Sequence, residues 1–128
     1  MTSRFAALAA AVGFIPLMVG APVAAHHAIG ATVDTTTEVI HDMVLTRIDW
    51  INPHAWFHFN VRQANGALLK DVMIEWLSLA GLKQSGYSRP SDFSVGATYK
   101  VTYNPNRDGS PGGHLVRMVD QEGNVYQR

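Results

Sequence analysis

The residues best suited to chemistry in this chain are its histidines, six in 128 residues. His26 and His27 adjoin each other directly after Val23-Ala24-Ala25, and His54 and His58 stand four residues apart in Asn52-Pro53-His54-Ala55-Trp56-Phe57-His58-Phe59. On a helix opened by Asn-Pro, His54 and His58 would share one face at the spacing metal sites use. On a strand they also point the same way but stand about 13 Å apart, too far for one ion to bridge. The element beneath them therefore decides what they can do.

The residues that follow favour the strand. Asn65-Gly66 lies between two β-rich runs and is a strong hairpin signal. With Asn65-Gly66 as a two-residue loop, Ala64 faces Ala67, Phe59 faces Val72, Phe57 faces Ile74 and Ala55 faces Trp76. That side is apolar on both strands, as a correct register requires. The other side pairs Asn60 with Asp71, His58 with Met73, Trp56 with Glu75, and His54 with Leu77. A helix from Pro53 would have no polar face. The strand reading discards the paired-histidine metal motif and leaves a candidate ligand face of Trp56, His58, Met73 and Glu75. Glu75 is diagonal to both histidines and placed to orient an imidazole.

The rest of the chain supplies the frame for that hairpin. Thr35 to Trp50 is rich in Thr, Val and Ile and reads as one long strand, twisted or bulged because apolar residues fall on both faces. Ile51-Asn52-Pro53 interrupts it. Ser78 to Ser85, ended by Gly86, is the one plausible helix. Ala97 to Tyr103 and His114 to Asp120 alternate as strands about the loop Asn104 to Gly113, and Val125 to Arg128 is a last short strand. Three strands, a short helix and then further strands predict an all-β fold, a small OB-like five-stranded barrel with one helix between strands 3 and 4. A β-sandwich is the alternative.

Composition limits the function. The chain is 47% hydrophobic and 16% charged, with ten basic and ten acidic residues. It has no basic stripe, which argues against a nucleic-acid partner. Arg4 followed by the apolar run Phe5 to Gly20 and by Val23-Ala24-Ala25 has the pattern of a secretory signal peptide. The expected organisation is a signal peptide over 1–25 and a single OB-like domain over 26–128, periplasmic, with no stable membrane insertion after cleavage. The chain has no cysteine, which excludes disulfides, thiol catalysis and thiolate metal sites.

Export gives His26 and His27 their chemistry. Cleavage after Ala25 makes His26 residue one, whose amine and imidazole chelate an ion together. Cleavage after Ala24 puts His27 third, where amine, two amides and imidazole form a square-planar site for Cu(II) or Ni(II). Copper is the expected cofactor, with His26, His27 and His54 as its ligands. No catalytic residue is assigned. The serines lack a nucleophile-elbow context, Glu75 has no second acid near it, and Asn104 to Gly109 lacks calcium-loop spacing. The expected function is a periplasmic non-enzymatic binding protein for a metal or small ligand. The alternative is an accessory protein that meets an envelope partner through the Trp56 face or an edge strand, without metal.

Three motifs, Ala25-His26-His27, Asn52-Pro53-His54-Ala55-Trp56 and Asp108-Gly109-Ser110-Pro111-Gly112-Gly113, occur here in an order that resembles an uncharacterised family of small exported bacterial proteins, a domain of unknown function. The resemblance covers nearly all of residues 26–128 and implies a periplasmic location, with no established activity. His26, His27 and His54 match the family pattern. His41, His58 and His114 do not, and Tyr87 stands where members tend to have Trp.

Overall fold

The computed structural model describes residues 29–127. The expected signal peptide, His26 and His27 lie outside the described residues. The strands are β1 (Val39–Asp49), β2 (Trp56–Arg62), β3 (Leu68–Glu75), β4 (Thr98–Pro105), β5 (Gly112–Val119) and β6 (Val125–Gln127). A four-residue helix α1 (Ile29–Thr32) precedes β1, and α2 (Leu79–Gln84) lies between β3 and β4, followed by a 3-10 turn at Pro90–Asp92. Ser78 caps α2, its hydroxyl accepting from the Gly81 amide at 3.1 Å, as an N-terminal Ser does.

β1 pairs with both β2 and β4, β2 with β3, and β4 with β5, all antiparallel. A short parallel join of β3 to β5 closes the ring. This is the OB order, with five strands in the barrel and β6 added outside on β5. β1 carries a neighbour on each edge and bends along its length. Its first half, Val39 to Val44, lies against β4, its second half lies against β2, and the ladder shifts between Leu45 and Arg47. The bulge expected in this long strand is therefore present and turns the sheet on itself.

The hairpin of β2 and β3 corrects one expectation. Asn65-Gly66 is not a two-residue loop. The Gln63 amide donates to Ala67 O at 2.8 Å and the Gly66 amide to Gln63 O at 2.9 Å, giving a three-residue loop with Gly66 at φ +85°. Glycine takes this left-handed conformation without a side-chain clash. The ladder near the loop is thus one residue off the expected register, pairing Val61 with Leu69. A bulge on β3 then absorbs one residue, so the expected pairs Phe59 with Val72, His58 with Met73, Phe57 with Ile74 and Trp56 with Glu75 all occur.

The inward faces make one core. Phe57, Phe59, Val72, Ile74, Leu45, Met43, Val101 and Met118 are buried, and each such side chain contributes about 1.5–3 kcal/mol on leaving water. One end of the core is aromatic. Phe93, which follows the 3-10 turn, meets Phe57 edge-on with centroids 5.0 Å apart, and Trp76, Tyr87 and Tyr126 surround it. Leu82 of α2 is buried in the same core.

Candidate ligand face

The expected polar side of the hairpin lies on the outside of the barrel, where its two histidines have different environments. His54 ends the β1–β2 loop, whose Asn52–Pro53 peptide is cis. Ala55 behind it is fully buried and bonded at both ends to the segment just after β3, donating to Leu77 O and accepting from the Trp76 amide, each at 3.0 Å. That anchor brings His54 Nδ1 to 2.5 Å from Glu75 Oε1. A carboxylate can only accept, so Nδ1 donates and Nε2 is the nitrogen left for another partner. The His54 side chain is 41% exposed and Glu75 is 25% exposed. Glu75 therefore orients an imidazole as its diagonal position suggested, and the imidazole is that of His54.

His58 is closed off from solvent, at 1% exposure. Its Nε2 lies 2.9 Å from Asp49 Oδ2 and its Nδ1 2.6 Å from Asp71 Oδ1. Arg47 Nη2 is 3.2 and 3.0 Å from the two ring nitrogens, a position reached only above the plane of the ring. The same guanidinium binds Asp49 through Nε at 3.0 Å. The ring meets both carboxylates only with both nitrogens protonated, and the four charges then cancel. Desolvation pushes the Asp49 carboxyl up, but hydrogen bonds from His58 and Arg47 outweigh it and leave the group below the usual carboxylate range. His58 thus fastens β1, β2 and β3 together on the outer face, and it does not present a nitrogen to a ligand.

Trp56 is half-buried beside Glu75, and Met73 is 38% exposed. His114, which sequence reasoning left without a role, is the direct partner of Glu75 in the parallel join. No local signal announces that pairing, because the two residues belong to separate hairpin units. His41 is exposed on β1, with its ring 6.3 Å from that of Tyr103.

The Gly112-Gly113 pair explains the end of the Gly-rich motif. A β-carbon on Gly112 would stand 2.1 Å from Met73 O, and one on Gly113 would stand 1.8 Å from Asn104 O. Both residues are the price of bringing β5 close to β3 and β4 at once.

Fold and face together define a small OB-type barrel protein with an oriented, half-exposed imidazole on its outer surface. The sequence matches the family of unknown function DUF6152 over residues 16–116, and the chain belongs to that family. No curated protein and no solved structure matches it. Among the described residues no helix is long and apolar enough to cross a membrane.

Proposed function

We propose that this is an exported, non-enzymatic binding protein that takes up one Cu(II) ion with His54 and the N-terminal residues His26 and His27. The observation that carries this reading is the contact of His54 Nδ1 with Glu75, which turns Nε2 outward. A carboxylate on one imidazole nitrogen fixes the tautomer and raises the basicity of the other, the arrangement metal-bound histidines use. Cleavage before His26 supplies an amine and a further imidazole, and such nitrogen-rich sites favour Cu(II) over Zn(II). The test is copper titration of the protein beginning at His26, of the same protein with an added N-terminal Met, and of His54→Ala. Native protein binds one Cu(II), more tightly than Zn(II); the Met extension and His54→Ala each weaken it about tenfold or more, and Glu75→Gln about tenfold. Equal, weak binding by native and extended protein overturns the proposal.

A second reading has its own support. Met73 on β3 and, in the loop leading to His54, Ile51 at 52% exposure are exposed apolar residues, of the kind a partner-docking face uses. Copper binding by native protein that is blocked by the Met extension decides against that reading as the sole function.

A further inference from the structure

The geometry points to the open mouth of the barrel as a binding site for a neutral, single-ring aromatic molecule that carries one hydroxyl or carbonyl oxygen. The site is independent of the copper reading, because none of the residues named there lines it. The two ends of the barrel differ. The cluster about Phe93 and Leu82 of α2 fills one end, where Phe57 meets Phe93 and Tyr99 meets Tyr126. At the other end the same strands present Val61, Tyr103 and His41. His41 pairs with the buried Val101 and stands two residues before the buried Met43, so its side chain is on the inward face, at the rim.

A cavity of about 170 Å³ lies at this mouth. Val61 and Val72, both buried, form its floor, Leu69 and Pro111 its sides, and the exposed His41 and Gln63 its rim. An apolar cavity of roughly 150 Å³ holds one benzene ring, and the mouth of a barrel is a common place for such a site. Among the described residues the lining contains no Asp, Glu, Lys or Arg. A charged ligand would enter this apolar wall without a fixed partner, which selects a neutral one.

Tyr103 supplies the polar contact. It is 7% exposed, and a buried tyrosine hydroxyl ordinarily finds a hydrogen-bond partner. The Tyr99 hydroxyl accepts from the Ser94 amide at 2.9 Å, and the Tyr126 hydroxyl donates to Asp120 Oδ2 at 3.0 Å. The Tyr103 hydroxyl bonds to none of the described residues, and burial pushes its pKa up, so it stays a neutral donor. No fully enclosed side-chain oxygen among the described residues lacks a partner. The Tyr103 hydroxyl is therefore open to the cavity, and its partner comes from outside the fold. The His41 ring, 6.3 Å from that of Tyr103 and tilted 37° to it, makes this side of the mouth aromatic and suits it to a flat ring.

The experiment is amide NMR titration of the purified protein with phenol, benzene and benzoate, on the parent, Tyr103→Phe, Leu69→Phe and Ile40→Ala. Ile40, 60% exposed on the outer side of β1, is the control, and near-UV circular dichroism verifies that each variant is folded. Phenol is expected to shift the amides of Val61, Leu69 and Tyr103 and to bind more tightly than benzene or benzoate. Tyr103→Phe weakens phenol about fivefold, to the level of benzene, and leaves benzene unchanged, as loss of one hydrogen bond requires. Leu69→Phe fills the cavity and removes both ligands, while Ile40→Ala matches the parent. Phenol that shifts no amide at the mouth, or that Tyr103→Phe binds as the parent does, overturns the inference even if Leu69→Phe fails to fold. Tighter binding of benzoate than of phenol overturns the neutral class. Copper titration of the same proteins is unaffected by these variants, so failure of the copper reading and failure of this one are read separately.

Discussion

His58 Nδ1 and Asp71 Oδ1 lie 2.6 Å apart although Asp71 belongs to the bulge of β3 and is held at φ +56°. A non-glycine residue pays strain for that left-handed conformation, and Asp accepts it more readily than most. The bulge turns its carboxylate onto the outer face beside His58, and its amide donates to Asn60 Oδ1 at 3.2 Å.

This geometry predicts a reversal of the usual order for glycine. Asp71→Ala and Asp71→Gly both remove the carboxylate, but only Gly relieves the backbone. The glycine variant is therefore the more stable by about 1 kcal/mol. Urea unfolding of the two proteins checks this, and an alanine variant at least as stable as the glycine one contradicts it.

His58→Ala leaves Asp49 and Asp71 without the donor they share and opens a hole on the outer face. The expected loss is about 1–3 kcal/mol, with copper affinity unchanged because His58 offers no free nitrogen. A His58→Ala protein that unfolds with the parent but binds copper more weakly would assign it to the site instead of to the fold.

Phe57 and Ile74 face each other in the core with no exposed area. Each alanine variant is expected to lose about 2–5 kcal/mol. Trp56→Ala, on the half-buried outer side, loses less. Equal losses at positions 56 and 57 in thermal or urea unfolding would show that both faces are packed alike.

Acid stability has a definite sign at Asp34. Hydroxyl hydrogen bonds from Thr36 and Thr37, with the Thr36 amide, lower its carboxyl from 3.8 to about 2. A carboxyl lowered by folding stabilises the native state above its unfolded value, and that stability is lost as pH falls from about 4 toward 2. Asp34→Asn consequently flattens the stability curve over this window. Carboxyl NMR titration reads the Asp34 value directly; titration near 3.8 would refute the assignment.

The readable parts of this molecule are those written by near neighbours. Alternation of Phe57, Phe59 and Val61 and of Val72, Ile74 and Trp76 assigns two strands and their inward faces, and the caps Ser78 and Ser85 bracket α2 closely. The hairpin shows the limit. Its central pairing agrees with expectation because a longer loop and a bulge cancel, and neither is signalled by the pattern of apolar residues. Asp49 and Asp71 reach His58 from strands on either side, which periodicity within one strand does not reveal. His114 is further removed still, because its neighbour Glu75 is set by the closure of the barrel and by two glycines whose need for close approach appears only in three dimensions.

That closure also governs how the chain must fold. β3 and β5 meet over three residues each, Met73 to Glu75 against Gly112 to His114, while the other barrel strands are joined by longer antiparallel ladders. The β1–β2–β3 meander and the β4–β5 hairpin assemble from adjacent chain, and they meet through two long-range joins, the β1–β4 ladder, with partners 54 to 64 residues apart, and the three-residue β3–β5 seam, with partners 39 apart. Shutting the short seam, which has the fewest paired residues to hold it, is the expected late step. Until then the nascent protein carries two bare strand edges, the template on which chains join one another, so the yield of folded protein depends on the speed with which a two-glycine seam shuts.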